Sequence, residues 1–239
     1  MNKFSHTGTE KKKLVTKLFN DIAKTYDFLN HLFSFGIDYY WRIRLINKTN
    51  LNQENHALDI ATGTGDVAFK LASKCDKVVG LDIAENMIEI AKIKQSKKEI
   101  KNIDFIVGDA ETLPFDDESF DIITIAYGFR NISDQPKALK EFNRVLKNSG
   151  RLLILEFSNP RSRIIKFLYR LYSVKIMPKI ASLFTEKYAY EYLPESIEMF
   201  PKRSEVKNQL KNSQFSNTKI IDMTFGISSI FITQKNESK

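Results

Sequence analysis

Short apolar runs alternate with amphipathic stretches along the middle of the chain. Five runs have the length and composition of buried strands, and they cover residues 57–61, 77–83, 104–107, 120–127 and 151–157. Between them, apolar residues recur at helical spacing over residues 66–73, 84–94 and 136–146. This order predicts successive β-α-β units, and therefore a parallel, doubly wound sheet with helices on both faces.

The segments on either side of this region have different patterns. Residues 1–13 are polar and rich in lysine, which predicts a disordered tail, and aromatic residues at helical spacing over 14–50 predict a helical lid. A helical insertion is expected near 161–200, and the end of the chain, 218–234, predicts two antiparallel strands at the sheet edge. We therefore expect one domain over 14–239, with its cofactor-binding core at 56–160.

Composition narrows the class of protein. Of the 239 residues, 42% are hydrophobic, which is enough for a substantial core, and the formal net charge is +8. That charge favours polyanions or an anionic membrane surface as partners. The single cysteine, Cys75, excludes an intrachain disulfide and favours a reducing compartment. Because no secretory signal or membrane-spanning apolar run is found, we expect a cytoplasmic protein.

The first strand leads into a glycine-containing turn that opens a helix. The turn reads Asp59-Ile60-Ala61-Thr62-Gly63-Thr64-Gly65-Asp66. Gly63 and Gly65 let the backbone approach a ligand closely, and Gly63-x-Gly65-x-x-Ala68 also matches a loose dinucleotide fingerprint. A pyrophosphate is disfavoured beside Asp59 and Asp66, whereas a ligand with an ammonium and a sulfonium tolerates both carboxylates. This favours S-adenosylmethionine over a dinucleotide.

Two more acidic residues end successive predicted strands. Asp82 can accept hydrogen bonds from ribose hydroxyls, and Asp109 can accept one from an adenine amino group. Because ligands of open α/β sheets bind at the carboxyl ends of strands, these residues and the glycine turn predict one site. Taken singly, each aspartate could instead be a helix cap or a turn residue.

Several motifs resemble the ubiquinone/menaquinone biosynthesis C-methyltransferases. They are Tyr26-Asp27-Phe28-Leu29-Asn30 with Ser34 and Trp41, Gly128-Phe129-Arg130-Asn131, Arg144-Val145-Leu146-Lys147, Leu155-Glu156-Phe157-Ser158-Asn159-Pro160 and Tyr192-Leu193-Pro194-Glu195-Ser196. The resemblance covers roughly residues 14–234. It implies a class I methyltransferase fold with a Rossmann-like, mostly parallel seven-stranded sheet.

The resemblance also implies a reaction and its site. The expected reaction methylates a ring carbon of demethylmenaquinol, with a polyprenyl-benzoquinol of ubiquinone synthesis, or another small molecule, as the alternative acceptor. By resemblance, the cofactor contacts are Thr64, Asp82, Asp109 and Ala110. The chemistry of the glycine turn adds Asp59, Gly63 and Gly65, and Ala126 is expected at the same site. Expected lid and substrate residues are Tyr26, Asp27, Asn30, Trp41, Tyr127 and Asn131.

Methylation of an aromatic carbon requires a nucleophilic ring, which ionisation of a neighbouring phenol provides. Arg130 is the candidate beside the quinol oxygen, as a stabiliser of the phenolate or through an activated water. An arginine stays protonated and cannot be an ordinary base. Its alternative role is structural, as a donor to loop carbonyls. Histidine is a common general base near neutral pH, so His31 is a second candidate, but it lies on a strongly aromatic helix.

The chain departs from the family pattern at two places. Asp38 stands where the family has a histidine, and Asn148-Ser149-Gly150 stands where it has Pro-Gly-Gly. The first change touches the lid and so bears on the substrate. The second reshapes a turn, and we expect Ser149 to keep a negative φ there.

The expected partners follow from this reading. The stretch 164–184 could admit the isoprenoid tail or rest on an anionic leaflet, and otherwise it packs on the sheet as a cover helix. We expect an isoprenoid quinol substrate, a second copy of the chain, and contact with the inner face of the cytoplasmic membrane. No metal is expected, because the three histidines and one cysteine are scattered. No nucleic acid is expected, since we find no basic stripe with interleaved aromatics. A scaffold protein without enzymatic activity is also disfavoured, because it would have no physical reason to keep Asp59, Asp82 and Asp109 together.

Overall fold

The structure, a computed structural model, describes residues 7–181 and 187–236 of the chain. The described residues form one seven-stranded sheet, with strands β1 (His56–Ile60), β2 (Lys77–Asp82), β3 (Ile103–Val107), β4 (Phe120–Ala126), β5 (Leu146–Phe157), β6 (Phe215–Met223) and β7 (Ser228–Lys235). Their order in the sheet is β3-β2-β1-β4-β5-β7-β6. Strands β1 to β5 pair in parallel, and β7 pairs antiparallel with both β5 and β6. The parallel sheet expected from the strand pattern is confirmed, and the two antiparallel pairings lie at one edge.

Helices occupy both faces and the carboxyl end of the sheet. They are α1 (Gly8–Ile22), α2 (Tyr26–Phe33), α3 (Ile37–Ile46), α4 (Asp66–Ala72), α5 (Glu85–Lys98), α6 (Gln135–Val145), α7 (Arg163–Leu171), α8 (Met177–Ala181), α9 (Lys187–Met199) and α10 (Arg203–Asn212). A π-helical stretch, Tyr172–Ile176, joins α7 to α8. Helix α10 was not anticipated, since its sequence is mostly polar and only Val206 and Leu210 are buried.

Successive side chains of a strand point to opposite faces of the sheet, and each face carries a hydrophobic core. Leu58 and Ile60 of β1 are fully buried against the residues of α6 and α10, including Phe142. Ala57 of the same strand faces the opposite core, where it packs with Leu71 and other residues of α3, α4 and α5. A strand with both faces covered needs apolar residues at every position. That is why the strands of the middle region appear in the sequence as continuous apolar runs.

The N-terminal helices build a third core over the carboxyl end of the sheet. Val15, Leu18 and Leu29 of α1 and α2 pack with Ala84 and Met87, at the beginning of α5. The helix α1 begins at Gly8, so the disordered tail predicted over residues 1–13 is wrong for residues 8–13. Residues 1–6 lie outside the described part of the chain. Long-range bonds from lysine side chains, described below, explain why this polar segment is ordered.

The turn before the central part of β5 differs from expectation. Ser149 has a φ of +60°, in the left-handed region, and not the negative value expected for a non-glycine residue. Gln234 holds this turn by donating from its side-chain amide to the carbonyl of Ser149 at 3.2 Å. The main chain therefore keeps a geometry that suits glycine, and serine adopts it at a cost of about 1–2 kcal/mol.

Candidate active site

The glycine turn between β1 and α4 forms the floor of a cavity at the carboxyl end of the sheet. Gly63 and Gly65 both have positive φ, +57° and +90°. A Cβ on Gly65 would lie 2.9 Å from the rings of Phe69 and Phe105, so packing also requires glycine there. Gly63 lines the cavity, whereas Gly65 lies behind the turn and opens helix α4. Of the two predicted contacts, only Gly63 lines the cavity.

Two carboxylates stand at the carboxyl ends of the next strands along the sheet. Asp82, which ends β2, is buried and accepts from the backbone N–H groups of Gly63 at 2.8 Å and Ala84 at 2.9 Å. Burial raises the pKa of Asp82, and the backbone hydrogen bonds oppose the shift. Asp109, which follows β3, accepts from the backbone N–H of Glu111 at 2.9 Å. Both carboxylates line the cavity, together with Ala110 and Ala126.

Lys12 was missed by sequence reasoning, because its segment was expected to be disordered. Its ammonium donates to Asp109 at 2.6 Å and to Glu111 at 2.7 Å, across the rim of the cavity. Next to it, Lys11 donates to the backbone carbonyls of Arg130 and Ile132, both at 2.9 Å. These four bonds hold α1 over the cavity. No local pattern could have shown them, since the partners lie about a hundred residues away in the chain.

The lining of this first cavity, of about 690 Å³, decides which ligand it suits. Carboxylates of Asp82 and Asp109 face apolar walls that include Ile83 and Met87. The one lysine among the lining residues, Lys12, is already paired with two acids. Such a lining accepts hydrogen bonds and favours a cation, and it repels a pyrophosphate. The residues therefore fit S-adenosylmethionine and do not fit a dinucleotide.

Asp59, expected as a cofactor contact, does not line the cavity. It is 1% exposed and accepts from the hydroxyls of Thr62 at 2.7 Å and Thr124 at 2.6 Å. Burial raises the pKa of Asp59 to about 7, although both hydroxyl bonds oppose the shift. The alternation of β1 turns this side chain into the core beneath the turn. Asp59 therefore supports the turn from below.

Thr64 and Asp27 are joined to each other and not to the cavity. The hydroxyl of Thr64 donates to Asp27 at 2.5 Å, and Lys94 donates to Thr64 and pairs with Asp27 at 2.6 Å. Asp66, whose charge entered the choice of ligand, also turns away, 3.4 Å from Lys94. These groups tie the lid helix α2 to the body of the protein. Their expected direct roles, cofactor contact for Thr64 and substrate or lid contact for Asp27, become a role in holding the lid.

A second cavity, of about 920 Å³, adjoins the first. The two share the side chains of Phe19, Tyr26 and Tyr127 in their lining. Aromatic residues dominate the second cavity, and its lining includes the expected residues Tyr26, Asn30, Trp41, Tyr127 and Arg130 together with Phe33, Phe157, Tyr169, Tyr172 and Tyr192. Asn131 lines the first cavity, and its side-chain oxygen accepts from the hydroxyl of Tyr192 at 2.9 Å. A cavity that carries carboxylates and a cavity that is mainly aromatic thus meet at Tyr26 and Tyr127.

Along with Arg42, Arg130 is one of two buried arginines that line the second cavity. Its Nη1 donates to Glu156 at 2.7 Å and to the backbone carbonyl of Tyr127 at 2.5 Å, and its Nε donates to Ser196 at 3.3 Å. Burial opposes the charge, but the carboxylate of Glu156 raises the pKa of Arg130 above its ordinary value. Among the described residues, Nη2 has no hydrogen-bond partner. The structural and the electrostatic role proposed for this arginine are therefore compatible.

A charged group beside the lid lies in the same cavity. Asp38 is buried, pairs with Arg42 and accepts from the hydroxyl of Ser34 at 2.6 Å. Burial alone would raise the pKa of Asp38, but the bond from Ser34 and the charge of Arg42 lower it. His31 lies 2.9 Å from Asp38 and its side chain is 45% exposed. It is absent from the lining of the second cavity, which argues against a role as the base.

Neither a metal site nor a membrane span is found in the part of the chain that the structure describes. No group of three or more histidine, cysteine, aspartate or glutamate side chains there could hold a metal ion. No described helix is long and apolar enough to cross a membrane.

Comparisons with known proteins place the chain among methyltransferases. The sequence pattern of the ubiE/COQ5 methyltransferase family matches residues 6–235. A ubiquinone/menaquinone biosynthesis C-methyltransferase UbiE of Geotalea uraniireducens is 41% identical over 231 residues, which cover 95% of this chain and 98% of that protein. A demethylmenaquinone methyltransferase of Chlorobaculum tepidum is 40% identical over 233 residues, 95% of this chain and 94% of that protein.

Solved structures are similar in fold. A SAM-dependent methyltransferase from Aquifex aeolicus superposes with a TM-score of 0.61 at 19% identity, over 81% of this chain and 88% of that one. A phosphoethanolamine N-methyltransferase 2 of Haemonchus contortus, solved with S-adenosyl-L-methionine, has a TM-score of 0.64 at 16% identity, over 82% of this chain and 52% of that one. The expected class I methyltransferase fold is confirmed.

Proposed function

The chain belongs to the ubiE/COQ5 methyltransferase family, and from this we propose that it methylates a ring carbon of demethylmenaquinol with S-adenosylmethionine as methyl donor. The observation that carries the proposal is the junction of two cavities of different chemistry. The first is lined by three carboxylates, those of Asp82, Asp109 and Glu111. The second is lined by aromatic rings and two buried arginines, and the two cavities share Tyr26 and Tyr127. A methyl donor and an aromatic acceptor need two such compartments in contact.

The first cavity supplies the groups that would hold the methyl donor. When bound, S-adenosylmethionine supplies an electrophilic methyl group on a sulfonium. Asp82 would accept from its ribose hydroxyls and Asp109 from its adenine amino group, while Ala110 and Ala126 form part of the wall. The lid helices α1 and α2 contribute Lys12, Val15, Phe19 and Tyr26 to the wall of this cavity. Closure of the lid on the bound donor would expel water and so strengthen the electrostatic contacts inside.

In the second cavity, Arg130 acts on the acceptor. A phenol has a pKa of about 10, as in tyrosine, so its ionised form needs stabilisation near neutral pH. The guanidinium of Arg130 is fixed by Glu156 and the Tyr127 carbonyl, and Nη2 is left for an oxygen of the quinol. A preorganised donor of this kind lowers the barrier by about 3–4 kcal/mol. Negative charge on the oxygen would make the ortho carbon nucleophilic. As that carbon bonds to the methyl group, the sulfur–methyl bond would break and S-adenosylhomocysteine would leave, and the ring carbon would then lose its proton to solvent to restore aromaticity.

A benzoquinol is the alternative to demethylmenaquinol as the methyl acceptor. Relatives carry both the demethylmenaquinone and the ubiquinone/menaquinone name, so a polyprenyl-benzoquinol is the second candidate acceptor. Both acceptors carry a long isoprenoid tail, which partitions into lipid. We therefore place the protein in the cytoplasm, peripheral to the inner face of the cytoplasmic membrane.

The expected homodimer stays a prediction, which light scattering of the purified protein tests.

The deciding experiment offers two reduced acceptors in parallel. The purified protein is incubated with methyl-labelled S-adenosylmethionine and either short-chain demethylmenaquinol or a short-chain benzoquinol precursor. Label in the naphthoquinol supports the proposal, and label in the benzoquinol alone replaces it with the alternative. No label in either acceptor, while calorimetry still shows cofactor binding, rejects quinol methylation. Asp82→Asn is the control, because it should weaken cofactor binding and reduce labelling of any acceptor.

A further inference from the structure

Helix α7 presents its apolar side chains to solvent. Ile164, Phe167 and Leu168 are 71%, 67% and 53% exposed, and Leu171 and Val174 continue the row at 39% and 52%. Their spacing of three and four residues places them on one side of the helix. None of the residues of α7 is buried. The alternative expected from sequence, a cover helix packed on the sheet, is therefore wrong.

The same segment carries positive charge and no negative charge. Residues 161–181 include six lysines and arginines and no aspartate or glutamate. Arg161 pairs with Asp222 at 2.9 Å. In the described part of the chain, Arg163, Lys166, Arg170 and Lys175 form no ion pair, and all four are exposed. An exposed apolar row with unpaired cations beside it is typical of a helix that lies in the interface of an anionic bilayer.

Helix α2 and the turn that follows it extend this surface. Phe28, Leu32 and Phe35 are 54%, 40% and 78% exposed. The ring of Phe35 lies 5.8 Å from that of Tyr172, and the hydroxyl of Tyr172 donates to the backbone carbonyl of Phe33 at 2.9 Å. We call the exposed side chains of both segments the docking surface; they are Phe28, Leu32, Phe35, Arg163, Ile164, Lys166, Phe167, Leu168, Arg170, Leu171, Val174 and Lys175.

The inward side of the same two segments forms a wall of the second cavity. Tyr169, Tyr172 and Met177 come from α7, the π-helical stretch and α8, and Phe33 and Ser34 come from the end of α2. One layer of helix therefore separates the acceptor cavity from the docking surface. An apolar tail that enters between α2 and α7 would meet the bond from the Tyr172 hydroxyl to the Phe33 carbonyl and, beyond it, the aromatic lining of the second cavity.

We propose that the docking surface lies on an anionic lipid leaflet and that the quinol tail enters the second cavity from the bilayer between α2 and α7. The part about the tail rests on the proposed function, and the part about the bilayer does not. An anionic leaflet matches both properties of the surface, because apolar side chains enter the headgroup region while lysines and arginines meet anionic headgroups. A protein partner would need carboxylates spaced among apolar side chains.

Vesicle binding tests the docking surface directly. The full chain is sedimented with phosphatidylcholine vesicles that contain either no or 30% phosphatidylglycerol, and we expect binding to the anionic vesicles. We expect two double variants to bind anionic vesicles at least tenfold more weakly than the wild type. The first combines Phe167→Ser with Leu171→Ser, and the second combines Lys166→Glu with Arg170→Glu. The matched controls are Ile93→Ser, at a side chain 55% exposed on α5, and Lys92→Glu beside it, which should bind like the wild type.

Three results would overturn the docking surface. In the first, the wild type stays in the supernatant when it is sedimented with anionic vesicles. In the second, the double variants bind these vesicles as well as the control variants do. In the third, the wild type is a dimer and the substitutions of the double variants make it monomeric. The last would show that a second copy covers this surface. Circular dichroism of each variant establishes that it is folded, and the substituted side chains are exposed, so folding should persist.

Activity separates this inference from the proposed function. With a short-chain quinol in detergent-free buffer, the double variants should turn over like the wild type, since none of the substituted side chains lines either cavity. With a long-chain quinol in anionic vesicles, they should lose at least tenfold in rate. Equal rates on the vesicle-borne quinol reject entry of the tail from the bilayer. If the wild type binds vesicles and methylates neither quinol, the proposed function fails and the docking surface stands.

Discussion

Nη1 of Arg130 donates to Oε1 of Glu156 at 2.7 Å, and both side chains are buried at the carboxyl end of the central strands. A second oxygen of the same carboxylate accepts from the backbone N–H of Arg130 at 3.1 Å. This pair fixes the loop after β4 and holds a positive charge beside the aromatic cavity. It links the stability of the fold to the chemistry of the site.

We expect Glu156→Gln to lower the free energy of unfolding by about 3 kcal/mol, because it leaves a buried guanidinium without its counter-charge. Denaturant unfolding measures the loss. The double variant Arg130→Gln with Glu156→Gln should recover part of it, since neither charge is then left alone. Strictly additive losses would contradict a coupled pair. The control is Asp104→Asn in the exposed pair with Lys77, which should cost well under 1 kcal/mol.

Arg130→Lys should lower kcat about 10²–10³-fold and leave the Kd for S-adenosylmethionine close to that of the wild type. The reason is that Arg130 lines the second cavity and not the first. Lysine keeps a charge near Glu156 but cannot present a second fixed nitrogen to the acceptor. Steady-state kinetics and calorimetry separate the two quantities. A variant with weakened cofactor binding and normal kcat would place this arginine elsewhere in the mechanism.

The buried Asp59 predicts a dependence of stability on pH. Burial raises its pKa to about 7 from an ordinary value of 3.8, so the folded protein binds this proton more tightly than the unfolded chain does. The stabilising contribution of protonated Asp59 is complete below about pH 4 and is lost as the pH rises to about 7. We therefore expect Asp59→Asn to gain stability relative to the wild type between pH 4 and pH 7.

Chemical denaturation of both proteins at pH 4.5, 6 and 8 measures this difference. The gain should level off above pH 7, because the wild-type carboxylate is then fully ionised. A difference between the two proteins that stays constant across the range would show that Asp59 does not change its protonation there.

The hydrogen bonds from Lys12 to Asp109 and Glu111 predict that this side chain holds α1 closed over the first cavity. Lys12→Glu places a third carboxylate beside Asp109 and Glu111, and it should release the helix by repulsion. We expect faster amide hydrogen exchange over residues 8–22 and a Kd for S-adenosylmethionine about tenfold higher. Lys13→Glu is the matched control, because Lys13 is exposed on the same helix. Equal exchange in the two variants would mean that the apolar contacts of α1 suffice to hold it.

Ser149→Gly should stabilise the protein by about 0.5–1 kcal/mol. At a φ of +60° a serine is strained and a glycine is not, and this gain exceeds the entropy that glycine adds to the unfolded chain. Thermal unfolding measures the change, and Ser149→Ala should give no gain. An unchanged or lower melting temperature of the glycine variant would contradict the strain.

The parallel pairing of the strands and the edge of the sheet that carries the glycine turn and the two aspartates followed from sequence alone, whereas the order of the strands came from the structure. Continuous apolar runs separated by helical patterns predicted parallel strands, and Gly63, Asp82 and Asp109 follow three of them, so their meeting at one edge needed no further information. These are local features that repeat along the chain. The family resemblance then gave the class of fold and reaction.

Only the tertiary structure decided which side chains face the cavities. Asp59 and Thr64 lie within the same turn as Gly63, yet they bond to Thr124 and Asp27, which come from distant parts of the chain. Lys12 is ordered by Asp109, and α7 faces solvent although its spacing of apolar residues equals that of a packed helix. Periodicity shows that a helix has an apolar side, but what covers that side depends on contacts between residues far apart in sequence. For the same reason the sequence determined the parallel sheet and the edge at which the first cavity lies. Tertiary contacts determined the lid, the second cavity and the exposed surface beside it.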